Sequence, residues 1–98
     1  FHSTKEGKRY MELKLLEKAG LIRELELQPA FLLIPTFKKN GKTYRKTTYI
    51  ADFKYFDVEL GKYIVEDVKS PATAKDKVYR LKIKMLLYQH DIDFKEVI

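Results

Sequence analysis

Apolar residues near the start of the chain recur with the period of a helix. They are three residues apart, at Tyr10, Leu13 and Leu16. The preceding run Ser3-Thr4-Lys5-Glu6 fits a capping box, in which Glu6 reaches back to the helix start. Gly20 then offers a left-handed stop. The pattern predicts a helix from about Thr4 to Ala19.

The middle of the chain shows extended patterns separated by turn signals. Residues 21–34 predict a first strand, continuous or broken in two, with Pro29 at an edge or bulge. Asn40-Gly41 predicts a hairpin, because both residues tolerate the positive φ angles of a type I′ turn. A second strand is expected from about Tyr44 to Phe56, and a buried third strand from Lys62 to Lys69.

The C-terminal part returns to the helical period. Four apolar residues at spacings of three and four predict a second helix from about Thr73 to His90: Val78, Leu81, Met85 and Tyr88. Residues 92–98 predict a closing strand. The order helix, three antiparallel strands, helix, strand predicts an α/β (α+β) fold with a mixed β-sheet flanked by helices. Among the aromatics, we expect Tyr10, Phe53 and Tyr88 in the core.

Composition is consistent with one folded domain over residues 1–98. The chain is 45% hydrophobic and has no internal composition shift. It has no cysteine, and this excludes disulfides and thiolate metal sites. The longest apolar run, Ala30 to Ile34, is too short to span a bilayer. Because the chain opens at Phe1 without a signal pattern, we expect an intracellular, cytoplasmic protein that lacks some native N-terminal sequence.

Charge adds a partner class, because the basic excess behind the net charge of +6 is local. Five basic residues fall within nine positions around Asn40-Gly41: Lys38, Lys39, Lys42, Arg45 and Lys46. A second basic line is expected along one edge of the C-terminal helix: Lys77, Arg80 and Lys84. These patterns favour nucleic acid as the partner, with solvated surfaces as the alternative of equal weight. RNA is less favoured, since no pair of surface aromatics on a strand is obvious.

Acidic residues in the predicted strands suggest chemistry. Asp67 and Lys69 point to one face of their strand, because strand side chains alternate. If the second strand pairs with the third, Asp52 comes opposite them. Two carboxylates and the carbonyl of Val68 suit the oxygen preference of magnesium or manganese. Lys69 can then orient a water or stabilise charge on a phosphate; the alternative is an ordinary ion pair of Asp67 with Lys69.

Three further polar residues have two readings each. Glu6 either completes the capping box or faces the sheet and reaches a metal-bound water. Glu66 either pairs with a helix lysine or arginine or replaces Asp67 in a second-ranked catalytic register. Gln28 either orients a water or substrate or satisfies local backbone groups.

The chain resembles the PD-(D/E)XK nuclease superfamily, and within it a family of small phage and prophage proteins that long carried an unknown-function label. The resemblance covers nearly the whole chain and is carried by these segments: Ser3-x-x-Glu6, Leu25-Glu26-Leu27-Gln28-Pro29, Tyr49-x-Ala51-Asp52-Phe53, and Val65-Glu66-Asp67-Val68-Lys69 followed by Thr73 and a lysine-rich helix. Ala51 departs from the pattern where the superfamily name has proline, and Gly7 places a helix-weakening residue beside the expected site.

This resemblance implies a restriction-endonuclease-like core and a set of roles. It implies Asp52 and Asp67 as metal ligands, Lys69 as the catalytic lysine, Glu6 as a helix carboxylate of the site, and Gln28 as a supporting residue. We therefore expect a Mg²⁺- or Mn²⁺-dependent deoxyribonuclease of a phage or prophage, acting on DNA in recombination, repair or processing. Branched DNA is the preferred substrate, and a homodimer is compatible with the resemblance. The alternative is a non-catalytic nucleic-acid-binding module with a degenerate nuclease fold.

Overall fold

The computed structural model describes residues 4–98, which fold into three helices and eight short strands. The helices are α1 (Thr4–Lys18), α2 (Pro71–Ala74) and α3 (Lys77–Gln89). The strands are β1 (Ile22–Leu27), β2 (Ala30–Ile34), β3 (Phe37–Lys39), β4 (Lys42–Tyr44), β5 (Thr47–Ile50), β6 (Phe53–Asp57), β7 (Lys62–Val68) and β8 (Asp93–Val97). None of these three helices has the length and apolar character needed to cross a bilayer.

A mixed four-stranded sheet organises the fold, in the order β1-β6-β7-β8. Strands β1, β6 and β7 run antiparallel, whereas β8 lies parallel to β7. Outside this sheet, β2 pairs with β5 in a ribbon and β3 pairs with β4 in a hairpin. The molecule is therefore an α+β fold with a mixed sheet, as the sequence predicted. The first predicted strand is broken in two, which the sequence pattern allowed, but the second predicted strand is also broken, which it did not predict.

The predicted hairpin is confirmed. Both residues of its two-residue turn have positive φ, 52° at Asn40 and 77° at Gly41, as a type I′ turn requires. The turn fixes the register, so that Lys39 lies opposite Lys42 and Phe37 lies opposite Tyr44.

Helix α1 covers one face of the main sheet. It begins and ends within one residue of the predicted limits, and Gly20 follows it with a φ of 78°. Beneath α1 lies a cluster of buried residues: Leu13, Ile22, Phe53, Tyr55 and Ile64. Tyr10 packs on the edge of this cluster with its ring 6.4 Å from that of Phe53. Ser3, the predicted start of the capping box, lies outside the described residues.

Helix α3 covers the opposite face. The buried cluster on this face contains residues from the sheet, from the β2–β5 ribbon and from α3. They are Phe31, Leu33, Tyr49, Ala51, Val65, Tyr79 and Leu86. The neighbouring residues Ile64 and Val65 of β7 thus contribute to different cores, because strand side chains alternate between faces. The sheet is packed between α1 and α3.

The prediction for the C-terminal helix was wrong in two respects. The segment is not one helix from Thr73, because Asp76 caps a new helix by accepting a hydrogen bond from the Val78 N–H. The predicted buried stripe is wrong for three of its four residues, since Val78, Leu81 and Tyr88 are exposed, Tyr88 by 91%, and only Met85 packs against the core. The helix instead buries Tyr79 and Leu86, which follow a second stripe with the same spacing.

Candidate functional site

The candidate site forms where two long strands break. Residues 28–29 separate β1 from β2, and residues 51–52 separate β5 from β6. Main-chain hydrogen bonds hold the breaks side by side: Ala51 N donates to Pro29 O at 3.1 Å, and Gln28 N donates to Asp52 O at 2.9 Å. Gln28 has a φ of 51° and an exposed side chain. Its contact with the site is the hydrogen bond from its backbone N–H to the Asp52 carbonyl.

Asp52 is anchored to β7 by two hydrogen bonds. Its N–H donates to the Glu66 carbonyl at 3.1 Å, and its Oδ2 accepts from the Val68 N–H at 2.7 Å. The second bond places the Asp52 carboxylate next to Val68, the last residue of β7. In the sequence, Val68 lies between Asp67 and Lys69. The expected meeting of Asp52 with this strand is therefore present in the structure.

Asp67 is the most unusual group in the site. It has no solvent exposure, and neither carboxylate oxygen accepts a hydrogen bond within residues 4–98. Burial raises the pKa of Asp67 to about 6, although the nearby Lys69 ammonium and the Asp52 main-chain N–H act to lower it; the charge of Glu6 adds to the rise. A desolvated carboxylate with a perturbed pKa is typical of a functional site.

Lys69 lies beside Asp67 on the same face of β7, as predicted. Its Nζ is 3.7 Å from Asp67 Oδ1 and 5.4 Å from the centre of the Tyr79 ring. Tyr79 is fixed in turn, because its hydroxyl donates to Glu96 Oε2 at 2.7 Å, and burial raises its pKa. The Lys69 side chain is 25% exposed, so a ligand in solution can reach its ammonium group, which contacts Asp67 on one side and the Tyr79 ring on another.

Glu6 reaches the site from α1. It is buried on the side of the helix that faces the sheet, and its charge acts on the pKa of Asp67. This agrees with the prediction that Glu6 faces the sheet; a capping role with Ser3 falls outside the described part of the chain.

Glu66 points to the other face, where its charge is paired. Arg9 of α1 donates two hydrogen bonds to the Glu66 carboxylate, each 2.7 Å long, and Tyr55 donates a third. These bonds to Glu66 raise the pKa of Arg9 further above its usual range, against the effect of burial. The expected pairing of Glu66 with a helix arginine is present. A register with Glu66 as the catalytic acid is disfavoured, since both oxygens are already occupied.

Several oxygen-bearing groups lie near the end of β7. They are the carboxylates of Asp52 and Asp67 and the carbonyl of Val68, with Glu6 near Asp67. Within residues 4–98, no cluster of three or more His, Cys, Asp or Glu side chains is close enough to hold a metal ion.

Comparison with known proteins gives one match over almost the whole chain. Residues 1–97 match the family described as "Protein of unknown function (DUF1064)". The chain belongs to the DUF1064 family. No curated protein and no solved structure matches it.

In this DUF1064 chain, the expected basic residues lie on two separate surfaces. The five residues of the hairpin segment are all exposed: Lys38, Lys39, Lys42, Arg45 and Lys46. The second surface is a groove of about 620 Å³ along α3, lined by Lys77, Arg80 and Lys84 together with Phe94 and Glu96. None of the five hairpin residues lines this groove.

Sequence reasoning missed three residues around the site of this DUF1064 protein. Arg9 holds Glu66, Tyr79 lies under Lys69, and Lys82 of α3 donates to the Thr48 carbonyl at 3.4 Å. A signal for Tyr79 was present, because it begins the alternative apolar stripe of the C-terminal helix. Arg9 had a signal too, since Glu6 and Arg9 are three residues apart and share a helical face.

Proposed function

We propose that this protein is a metal-dependent DNA nuclease that hydrolyses phosphodiester bonds. The observation that carries the proposal is Asp67, a fully buried carboxylate whose two oxygens lack a hydrogen-bond partner within residues 4–98. Such a group is costly to desolvate, and a divalent cation is a partner that would offset the cost. The pKa of about 6 leaves Asp67 mostly ionised at neutral pH, in the form that binds metal.

The donors around Asp67 fit Mg²⁺ or Mn²⁺. Asp52, Asp67 and the Val68 carbonyl would hold the ion through oxygen alone, which is the preference of both cations. A bound ion would polarise a phosphoryl oxygen and increase the acidity of a coordinated water.

The protein's own residues have complementary roles in this proposal. Lys69, held over Tyr79 and beside Asp67, carries the positive charge that stabilises negative charge developing on the scissile phosphate. Glu6, buried on the sheet-facing side of α1, accepts a proton from the attacking water. Arg9 keeps the neighbouring carboxylate of Glu66 paired and hydrogen-bonded, whereas Asp67 has the Lys69 ammonium at 3.7 Å and no hydrogen bond within residues 4–98.

Charge supports DNA as the substrate. The basic hairpin and the basic groove along α3 offer positive charge for contacts to phosphates. The resemblance to PD-(D/E)XK nucleases supports a setting in phage or prophage DNA recombination, repair or processing in the host cytoplasm. Branched DNA cleaved by a homodimer is the corresponding proposal for the substrate and assembly.

The test is cleavage of linear, nicked, flapped and four-way DNA with Mn²⁺, with Mg²⁺ and with EDTA. We expect cleavage only with a cation, and its loss in Asp67→Asn and Lys69→Met while DNA binding is retained. The exposed residues Asp91 and Lys75 provide matched controls, as Asp91→Asn and Lys75→Met, which should cleave like the parent. Undiminished cleavage by both site variants would reject the proposal.

A second candidate is a DNA-binding module without catalysis. It is favoured by the finding that no three acidic or histidine side chains cluster around a metal position within residues 4–98. Thermal melting separates the candidates: a nuclease site should be stabilised by Mn²⁺, because a ligand that binds only the folded state adds to its stability. A binding module should instead show salt-dependent DNA affinity that is the same with either cation.

A further inference from the structure

The β3–β4 hairpin carries a surface aromatic pair that the sequence did not make obvious, so the expectation against RNA from the lack of such a pair was wrong. Phe37 and Tyr44 lie opposite each other, with ring centres 5.0 Å apart and planes within 10° of parallel. They are 44% and 41% exposed, so the pair is far from buried even though the two rings cover each other. Strand pairing joins this hairpin to no other strand of the described chain.

The same face of the hairpin carries two cations. Side chains two residues apart on a strand share a face, so Lys39 and Lys42 lie on the side of Phe37 and Tyr44. Lys42 places its Nζ 5.2 Å from the centre of the Tyr44 ring. We call Phe37, Lys39, Lys42 and Tyr44 the hairpin face.

The two lysines of the hairpin face are directly opposite each other. Like charges in this position oppose strand pairing, so the hairpin alone gains nothing from them. No acidic residue occurs between Pro35 and Ile50, which leaves five positive charges in this segment without local compensation. The remaining fifteen basic residues are nearly balanced by the fourteen acidic ones, so the hairpin segment accounts for most of the net charge. A polyanion is the ligand that matches this arrangement.

We propose that the hairpin face binds unpaired nucleotides of DNA, with a base stacked on the outer ring face of Phe37 or of Tyr44 and the flanking phosphates on Lys39 and Lys42. Exposed aromatic rings beside cations are the general means of holding single strands, since every base has a π-face. The choice of DNA rests on the proposed function, which the hairpin face deepens: the substrate would contain a single-stranded segment or a branch point.

The experiment measures binding without cleavage. Fluorescence anisotropy in EDTA compares a labelled thymidine oligonucleotide with an abasic strand of the same length and charge. The parent protein should bind the thymidine strand about tenfold more tightly, because stacking on aromatic side chains discriminates bases from bare backbone. The double variant Phe37→Leu/Tyr44→Leu should bind both strands equally, at the parent's affinity for the abasic strand.

Two control variants separate stacking from charge and from general aromatic exposure. Lys39→Gln/Lys42→Gln should weaken binding of both strands and lower the salt dependence of each by the same amount. Tyr88→Leu removes a 91% exposed ring of α3 and should change neither affinity. Equal binding of the two strands by the parent, or an equal loss in Tyr88→Leu, would overturn the proposal. Tighter binding of a uridine strand than of the thymidine strand would overturn the assignment to DNA.

A second measurement uses the unmodified protein and so does not depend on the folding of a variant. Irradiation of a bound strand carrying 5-iodouracil should link the base to Phe37 or Tyr44, as identified by mass spectrometry of the peptides. Links found only in other segments would overturn the proposal. The outcome is independent of the nuclease assay. Tighter binding of the thymidine strand than of the abasic strand, without cleavage, would reject the proposed function alone. Mn²⁺-dependent cleavage with equal binding of the two strands would reject the proposal for the hairpin face alone.

Discussion

Replacing Arg9 by methionine should cost a large part of the protein's stability. Methionine keeps most of the stem of the side chain but removes both hydrogen bonds to Glu66, whose side chain has no solvent exposure. Breaking a buried ion pair on one side costs about 3–5 kcal/mol, because the remaining charge has no counter-ion; here Glu66 would keep only the hydrogen bond from Tyr55. Proteins of this size are stable by roughly 5–15 kcal/mol, so Arg9→Met should melt on the order of 15 °C lower.

The matched control is Lys14→Met on the same helix. Lys14 pairs with Glu17 at 2.8 Å, but both side chains are solvent-accessible, and an exposed ion pair contributes little to stability. The difference between the two variants in thermal melting therefore measures the effect of burial rather than the loss of a cation from α1.

A double-mutant cycle identifies the partner. Glu66→Gln keeps an acceptor for the Tyr55 hydroxyl and removes the charge, so it should restore part of the stability lost in Arg9→Met, with a coupling of about 0.5–3 kcal/mol. The reasoning is refuted if Arg9→Met melts within a degree or two of Lys14→Met, or if the cycle shows no coupling.

Three further predictions concern the site and the core. Burial raises the pKa of Asp67 from 3.8 to about 6, so the folded state binds the proton more tightly than the unfolded state does. The free energy of unfolding should therefore fall as pH rises from about 4 to 6. Melting curves of Asp67→Asn should lack this part of the pH dependence. Asp52→Ala leaves the Val68 N–H without its acceptor and should cost about 1–3 kcal/mol in denaturant unfolding, whereas a change below a few tenths would contradict the structure. Leu86→Ala, at a fully buried position, should cost about 2–5 kcal/mol, and the exposed control Val78→Ala less than about 1 kcal/mol; similar costs would favour the predicted stripe over the observed one.

Local signals were sufficient where one residue type decides the geometry. Asn40-Gly41 fixed the hairpin because few residues accept two consecutive positive φ angles. Strand alternation likewise separated Glu66 from Asp67 and placed Lys69 with the latter. These parts of the structure follow from the backbone and need no knowledge of distant contacts.

The orientation of the C-terminal helix could not be decided in this way. Two apolar stripes occur on α3, one through Val78 and Leu81 and one through Tyr79 and Leu86, and both have helical spacing. Which stripe faces the sheet depends on the volume left by the ribbon and by β8, and helical periodicity carries no information about that space.

The aromatic pair of the hairpin was missed although its signal was present. Once a two-residue turn is placed at Asn40-Gly41, counting outward along both strands puts Phe37 opposite Tyr44. The complete burial of Asp67 was different, since it depends on the joint packing of α1, α3 and the broken strands, which no local pattern reveals.

The charge of the hairpin segment gives the molecule a strong electrical asymmetry. With five of its six net charges between Lys38 and Lys46, the protein as a whole behaves as a nearly neutral body with a cationic tip. An approaching polyanion exerts a torque on such a body and turns the tip toward itself before contact. Encounter would therefore be oriented and would slow with added salt, even for a variant that carries Asp67→Asn and Lys69→Met.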